Sequence, residues 1–211
     1  AYVIGGLDKQ VGIECQVYTS ENNSWLFEFP SLPKGRFNSV CFVYRDSLYV
    51  FGGTDNSSNM NEIVRYDLST QNSGEWTTIA KVNEANQRGG VAFVVEDKVY
   101  AGLGEKSNGI RNGFYVSSDS LTKWELIPSI PAQLGIISSG VYDEQKKSFF
   151  MIDNDGKIWE YNLTTEQWTS RSLWIRMKNY HMFMLDGSIY ILGQDIYQKN
   201  KFTVYNPIWD N

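Results

Sequence analysis

The chain repeats itself. Every ~40–50 residues an aromatic–aliphatic run ends in glycine, a polar loop follows, then a Tyr-bearing run, then a Trp; repeats of this length built from strands mean a radial or stacked array. The pattern starts as Tyr2-Val3-Ile4-Gly5-Gly6 with Tyr18 and Trp25. It returns as Tyr49-Val50-Phe51-Gly52-Gly53 with Tyr66 and Trp76, and as Tyr100-Ala101-Gly102-Leu103-Gly104 with Tyr115 and Trp124. A fourth copy, Phe149-Phe150-Met151-Ile152-Asp153 with Tyr161 and Trp168, has lost the glycines. The fifth is Tyr190-Ile191-Leu192-Gly193-Gln194 with Tyr205 and Trp209. No apolar pattern of helical period and length interrupts the series.

Each copy divides into four short strands. In the second copy these fall near 38–45, 48–52, 62–66 and 76–79, with Asp46-Ser47 turning the first into the second. The intervening residues are Asp, Asn, Ser and Gly, which tolerate positive φ or cap their own backbone. Trp25-Leu26-Phe27-Glu28-Phe29-Pro30 and Trp124-Glu125-Leu126-Ile127-Pro128 end in proline, which cannot donate to a ladder and fits the crossover after an outer strand.

These residues resemble the kelch repeat, and the resemblance runs along the whole chain. It implies an all-β fold, a kelch-like β-propeller in one domain over residues 1–211. About five recognisable four-stranded blades are expected near 1–33, 34–83, 84–131, 132–173 and 174–211, the first and last incomplete. Ala1 falls inside a repeat and the chain stops two residues after Trp209. The expectation is therefore part of a six- or seven-bladed ring rather than a five-bladed ring with an imperfect seam. The resemblance also sets an Arg at the opening of the first strand, thirteen residues before the Tyr of the diglycine strand. Arg36 fits that spacing to Tyr49, Arg88 is one residue closer to Tyr100, and Arg176 one further from Tyr190. The repeat Tyr and Trp are large flat side chains suited to packing between blades rather than to stacking on a ligand.

Composition narrows the function. The net charge is −5 and no run of Lys or Arg exceeds two residues, which argues against a nucleic-acid duplex or an anionic membrane surface as partner. No apolar stretch reaches the 18 residues of a membrane span. A single histidine, His181, cannot build the two-histidine, two-tyrosine copper site of galactose-oxidase-type kelch enzymes, so neither metal nor other cofactor is expected. Cys15 and Cys41 sit in strand-like runs and read as small buried apolar residues. Ser117-Ser118-Asp119-Ser120-Leu121-Thr122-Lys123-Trp124 resembles the Asp-box turn of sialidase propellers, with Leu121 replacing the usual glycine.

In kelch adaptors the residues after the diglycine and after the opening Arg line the binding mouth. That resemblance places Leu7, Asp8, Thr54, Asp55, Glu105, Gln194 and Asp195 there, with Arg36, Phe37, Arg88 and Arg176. The implied function is a non-catalytic recognition scaffold for a polar ligand, a peptide or protein or a saccharide. Two alternatives stand beside it. One is a metal-free sugar-active kelch enzyme of the sialic-acid mutarotase type, with carboxylates as acid and base. The other is the substrate-adaptor propeller of a ubiquitin ligase. The Asp-box-like turn, the Asn-rich loops and the irregular repeats lean toward a secreted, periplasmic or cell-surface bacterial protein.

Overall fold

A computed structural model describes residues 1–109, 113–118, 120–128, 130–174, 177–195 and 197–205, with the side chains of 172–174 left aside. The described elements are antiparallel strands and two short 3-10 turns, Leu68–Thr70 and Asn83–Ala85. They form two compact units, Ala1–Leu126 and Ile127–Asn211.

The first unit holds three sheets. The first is β1 (Tyr2–Leu7), β2 (Val11–Thr19) and β3 (Ser24–Phe29), in that order. The second is β4 (Val40–Tyr44), β5 (Ser47–Phe51), β6 (Glu62–Asp67) and β7 (Thr77–Lys81). The third is β8 (Val91–Val95), β9 (Lys98–Gly102), β10 (Phe114–Ser118) and the two-residue β11 (Glu125–Leu126). The second unit holds β12 (Ile137–Asp143), β13 (Ser148–Asp153), β14 (Lys157–Asn162) and β15 (Gln167–Trp174), then β16 (Lys178–Leu185), β17 (Ser188–Gln194) and β18 (Asn200–Tyr205). Every sheet is a meander, each strand pairing with its neighbour in sequence. The first sheet has no strand inside β1, as its truncated copy implies. The fifth has three strands among the described residues, and Trp209 of its expected fourth lies outside them.

Alternation along the strands builds the core. In β5, Leu48 and Val50 pack with Cys15, Phe29 and Leu32 of the preceding blade, while Tyr49 and Phe51 face Val99, Ala101 and Leu121 of the following one. The second unit repeats this: Phe150 and Ile152 face Ile189 and Ile191. Trp76 and Trp124 pack as fillers, whereas Trp25 is exposed. Trp76 reaches back to Phe29, ring centroids 6.5 Å apart, and its indole N–H donates to the Pro30 carbonyl at 2.8 Å. Trp124 lies edge-on to Phe51 at 5.2 Å.

Three details depart from expectation. The first hairpin of the second sheet turns at Arg45-Asp46, both with positive φ, because Tyr44 pairs with Ser47. In the fourth sheet Phe149 pairs with Tyr161 as Leu48 pairs with Tyr66, so Asp153 stands where Gly52 does, one place earlier than the motif suggests. Cys15 is buried, and that burial pushes its thiol up to about 11, but Cys41 is exposed and not a core residue.

The glycines answer a specific demand. Gly5 and Gly52 have φ of 63° and 64°, and a Cβ on them would lie 2.3 Å from the Arg36 carbonyl oxygen and 2.4 Å from that of Ala85. The link entering the next blade passes there. Leu103 occupies the same place in the third sheet with φ 63° and accepts the left-handed strain, which costs roughly 1–2 kcal/mol. Leu121, standing for the glycine of the Asp-box-like turn, does likewise at φ 57°, its carbonyl accepting the Trp124 indole N–H at 3.0 Å. Gly52→Ala should destabilise the fold by roughly 3 kcal/mol, adding overpacking to backbone strain. Chemical denaturation measures this, and a loss below about 1 kcal/mol would contradict the close approach.

Candidate functional site

In the first unit the segments that follow the diglycines and open the inner strands lie along one edge, cross-tied through the backbone. The Gly6 N–H donates to the Arg36 carbonyl at 3.0 Å, and the Gly53 N–H to that of Gln87 at 2.8 Å. Phe37 and Thr54 exchange two bonds of 3.0 Å, Arg88 and Glu105 two of 2.9 Å, and the Gly89 N–H reaches the Asn38 carbonyl at 2.7 Å. Arg88 is thus the counterpart of Phe37, and Gln87 that of Arg36. The one-residue discrepancy in Arg spacing is therefore real: the opening Arg of the third copy is replaced by glutamine.

Side chains at these two positions part company. Arg36 has no exposed surface; it donates to the Gly52 carbonyl at 3.2 Å and pairs with Glu62 at 3.3 Å. Burial pulls its guanidinium below its ordinary value and Glu62 opposes that. Gln87 is buried as well, its Oε1 accepting from the Gly104 N–H at 2.7 Å and its amide donating to the Glu84 carbonyl at 3.0 Å. Arg36 is therefore a buried strut, a correction to the expectation that it lines a surface site. The fourth sheet makes the same contact with the parts exchanged. Asp153 is the bulky partner and Gly135 the small one. The carboxylate accepts from the N–H groups of Gly135, Asp155 and Lys157 and from the Trp159 indole, at 2.9–3.3 Å.

The remaining expected residues are at the surface or just under it. Arg88 is half exposed and grips one oxygen of Glu105 through Nε at 3.0 Å and a terminal nitrogen at 2.7 Å. The Glu105 carbonyl also accepts from the Asn59 amide at 2.8 Å, joining the loop of the second sheet to that of the third. Thr54 is buried and folds its loop by donating to the Ser58 carbonyl at 2.9 Å. Asp55 caps the same loop through the Ser57 and Ser58 N–H groups and pairs with Lys34 at 2.8 Å. The Lys34 ammonium, then those two N–H groups, hold its carboxyl well below the usual carboxylate range. Phe37 is half-buried. Leu7 and Asp8 are exposed on the wall of an open hollow of about 650 Å³, lined by residues 5–10 with Gly12 and Glu14.

In the second unit, Gln194 accepts from the Asn179 amide at 3.1 Å. Asp195 accepts from the N–H groups of Lys199 and Tyr197, both at 2.9 Å, which hold its carboxyl below its ordinary value. Arg176 lies outside the described residues. Sequence reasoning missed Gln87, Asn59 and Lys34. Only Gln87 left a trace, as the residue before a misplaced Arg. Among the described residues no three His, Cys, Asp or Glu side chains cluster as metal ligands.

Comparison with known proteins fits this geometry. A family model for the kelch motif matches residues 35–83, the second sheet with its opening link. The solved structure of YjhT superposes with a TM-score of 0.76 at 17% identity, over 97% of this chain and 80% of that one. The chain is a β-propeller that carries a kelch motif. At that identity the likeness shows the fold alone. No curated protein matches the sequence. No helix among the described residues is long and apolar enough to cross a membrane.

Two predictions separate strut from rim. Arg36→Ala removes the buried donor to the Gly52 carbonyl and leaves Glu62 paired only with Lys81, at 3.4 Å, and should cost about 2 kcal/mol, with Arg36→Gln, the solution seen at Gln87, costing less. Arg88→Ala removes an exposed pair and should cost ~0–1 kcal/mol. Equal losses in thermal denaturation would contradict this division. The second prediction concerns pH. A carboxyl depressed in the fold adds stability above its unfolded pKa and loses it as pH falls through the folded value. Loop 54–59 should therefore hold its hydrogen-exchange protection at neutral pH and lose it only below the ordinary carboxylate pKa of ~4. Loosening between pH 6 and 8 would contradict the role given to Asp55.

Proposed function

We propose that the protein is a non-catalytic recognition propeller whose mouth binds a polar, uncharged ligand: a saccharide or the main chain of a peptide. The observation that carries this reading is the state of the rim charges. Arg88 is engaged by Glu105 and Lys34 by Asp55, within loops tied to one another through backbone bonds. An entering anion would have to displace a carboxylate already in place. A ligand with hydroxyl or amide groups can instead bond to the outer faces of these pairs and to Asn38 and Asn59, with half-buried Phe37 as an apolar floor. Such loops on a rigid frame are the usual way a propeller builds a concave site. Asp55, held deprotonated, orients its loop and is poorly suited to giving up a proton at neutral pH. This favours recognition over the sugar-active alternative, in which a carboxyl must act as acid.

The test is calorimetric titration of neutral oligosaccharides, acidic sugars and short peptides against the parent protein and the Phe37→Ala and Arg88→Ala variants. A neutral ligand should bind, and each variant should weaken it roughly ten- to hundredfold while Tm changes little. Preference for an acidic sugar, turnover of any sugar, or binding indifferent to both substitutions would overturn the reading.

A further inference from the structure

The rim between the second and third sheets has spent its peptide groups. In the loop after the second diglycine, the N–H groups of residues 53–58 and of Met60 all donate within the protein. Their acceptors are the Gln87, Phe37, Ser58 and Gly53 carbonyls and the side-chain oxygens of Thr54 and Asp55. Facing this loop, Phe37, Arg88 and Glu105 each commit both N–H and carbonyl to a cross-tie, and Asn38 lends its carbonyl to Gly89.

That constrains the ligand. A peptide main chain is captured by a row of unpaired N–H and C=O groups, and a protein surface by several apolar anchors set in pockets. These loops offer neither: over the described residues 34–38, 54–59, 88–89 and 105–109, Phe37 is the one apolar side chain. What is left is side-chain polarity, in donor and acceptor together. Arg88 spends Nε and one terminal nitrogen on a single Glu105 oxygen, Oε2. One ion pair thus keeps Glu105 Oε1 as an acceptor and the other guanidinium nitrogen as a donor. Asn38 and Asn59 flank the pair, each tied by one hydrogen bond to the segment that carries Arg88 or Glu105. Asn38 is exposed with its whole amide to offer, and Asn59 keeps its amide oxygen. A hydroxyl both gives and accepts, so a group of hydroxyls meets such a surface with every atom matched.

Given a mouth that takes a polar, uncharged ligand, as proposed above, we propose that this ligand is a saccharide rather than a peptide, and that the Arg88–Glu105 pair selects it by taking two neighbouring hydroxyls at once. Glu105 Oε1 accepts from one hydroxyl, and the free Arg88 nitrogen donates to the other. Both bonds are charge-assisted, yet the sugar needs no charge of its own, because each of the two side chains already has the other as counter-ion.

The experiment screens the parent protein and the Glu105→Gln variant on an array of neutral oligosaccharides and on one of capped, uncharged peptides. The best-bound sugar and its mono-deoxy derivatives are then titrated calorimetrically. A sugar should bind, at least one deoxy derivative should bind the parent about tenfold more weakly, and Glu105→Gln should weaken the intact sugar roughly ten- to hundredfold. The two losses should not add: the variant should hardly tell the sugar from that derivative, a discrimination that a merely structural disturbance of the rim would leave in place. Tm should change little, because the pair is partly exposed. Additive losses, or sugar binding indifferent to Glu105, overturn the proposal. So does binding to the peptide array alone, which still leaves the mouth a site for a neutral polar ligand. Binding on neither array removes the neutral-ligand mouth itself, and the saccharide with it.

Discussion

The architecture turns on one contact: a peptide carbonyl of the link entering the next blade, lying where the second strand of the previous blade would otherwise carry a Cβ. In the first two blades the solution is a left-handed glycine, Gly5 against the Arg36 carbonyl and Gly52 against that of Ala85. The link's side chain makes a second contact, with the end of its own blade's second strand: Arg36 donates to the Gly52 carbonyl and Gln87 accepts from the Gly104 N–H. In the fourth sheet that second contact has its parts exchanged: Gly135 on the link yields the space and the Asp153 side chain fills it. The contact survives exchange of its parts because the space and the hydrogen bonds are fixed, not the residue that meets each demand.

From this contact the rim follows. Once the link is pinned, the residue after it pairs with the residue after the diglycine: Phe37 with Thr54, Arg88 with Glu105. The loops begin from rigid points and need only short-range bonds, such as the Asp55 cap, to hold their shape. Variable surface residues thus stand on an invariant frame, and the charges of this rim are neutralised by their neighbours.

The repeat was legible because strand alternation, turn residues and the Tyr and Trp positions all point to one architecture. What sequence spacing could not resolve was register at single-residue precision. Arg36 and Arg88 look alike in one dimension, yet one is a buried strut and the other a half-exposed partner of Glu105. The difference rests on which residue's carbonyl accepts from a glycine N–H one blade earlier, and no local pattern records that. The one-place offset at Asp153 has a similar origin: without a glycine the motif has no landmark, and only the pairing of Phe149 with Tyr161 sets the frame. Cys41 misled because strand alternation alone does not say whether a neighbouring strand exists to cover it.

The backward reach of the tryptophans gives the array a polarity. Trp76 belongs by sequence to the second repeat, but its indole completes the first by closing over Phe29 and bonding to the Pro30 carbonyl. The modules recognised by reading along the chain are therefore out of phase with the modules that hold together in space. Recombination at a repeat boundary would part an indole from the cavity it fills, because Trp76 lies on the far side of that boundary from Phe29 and Pro30.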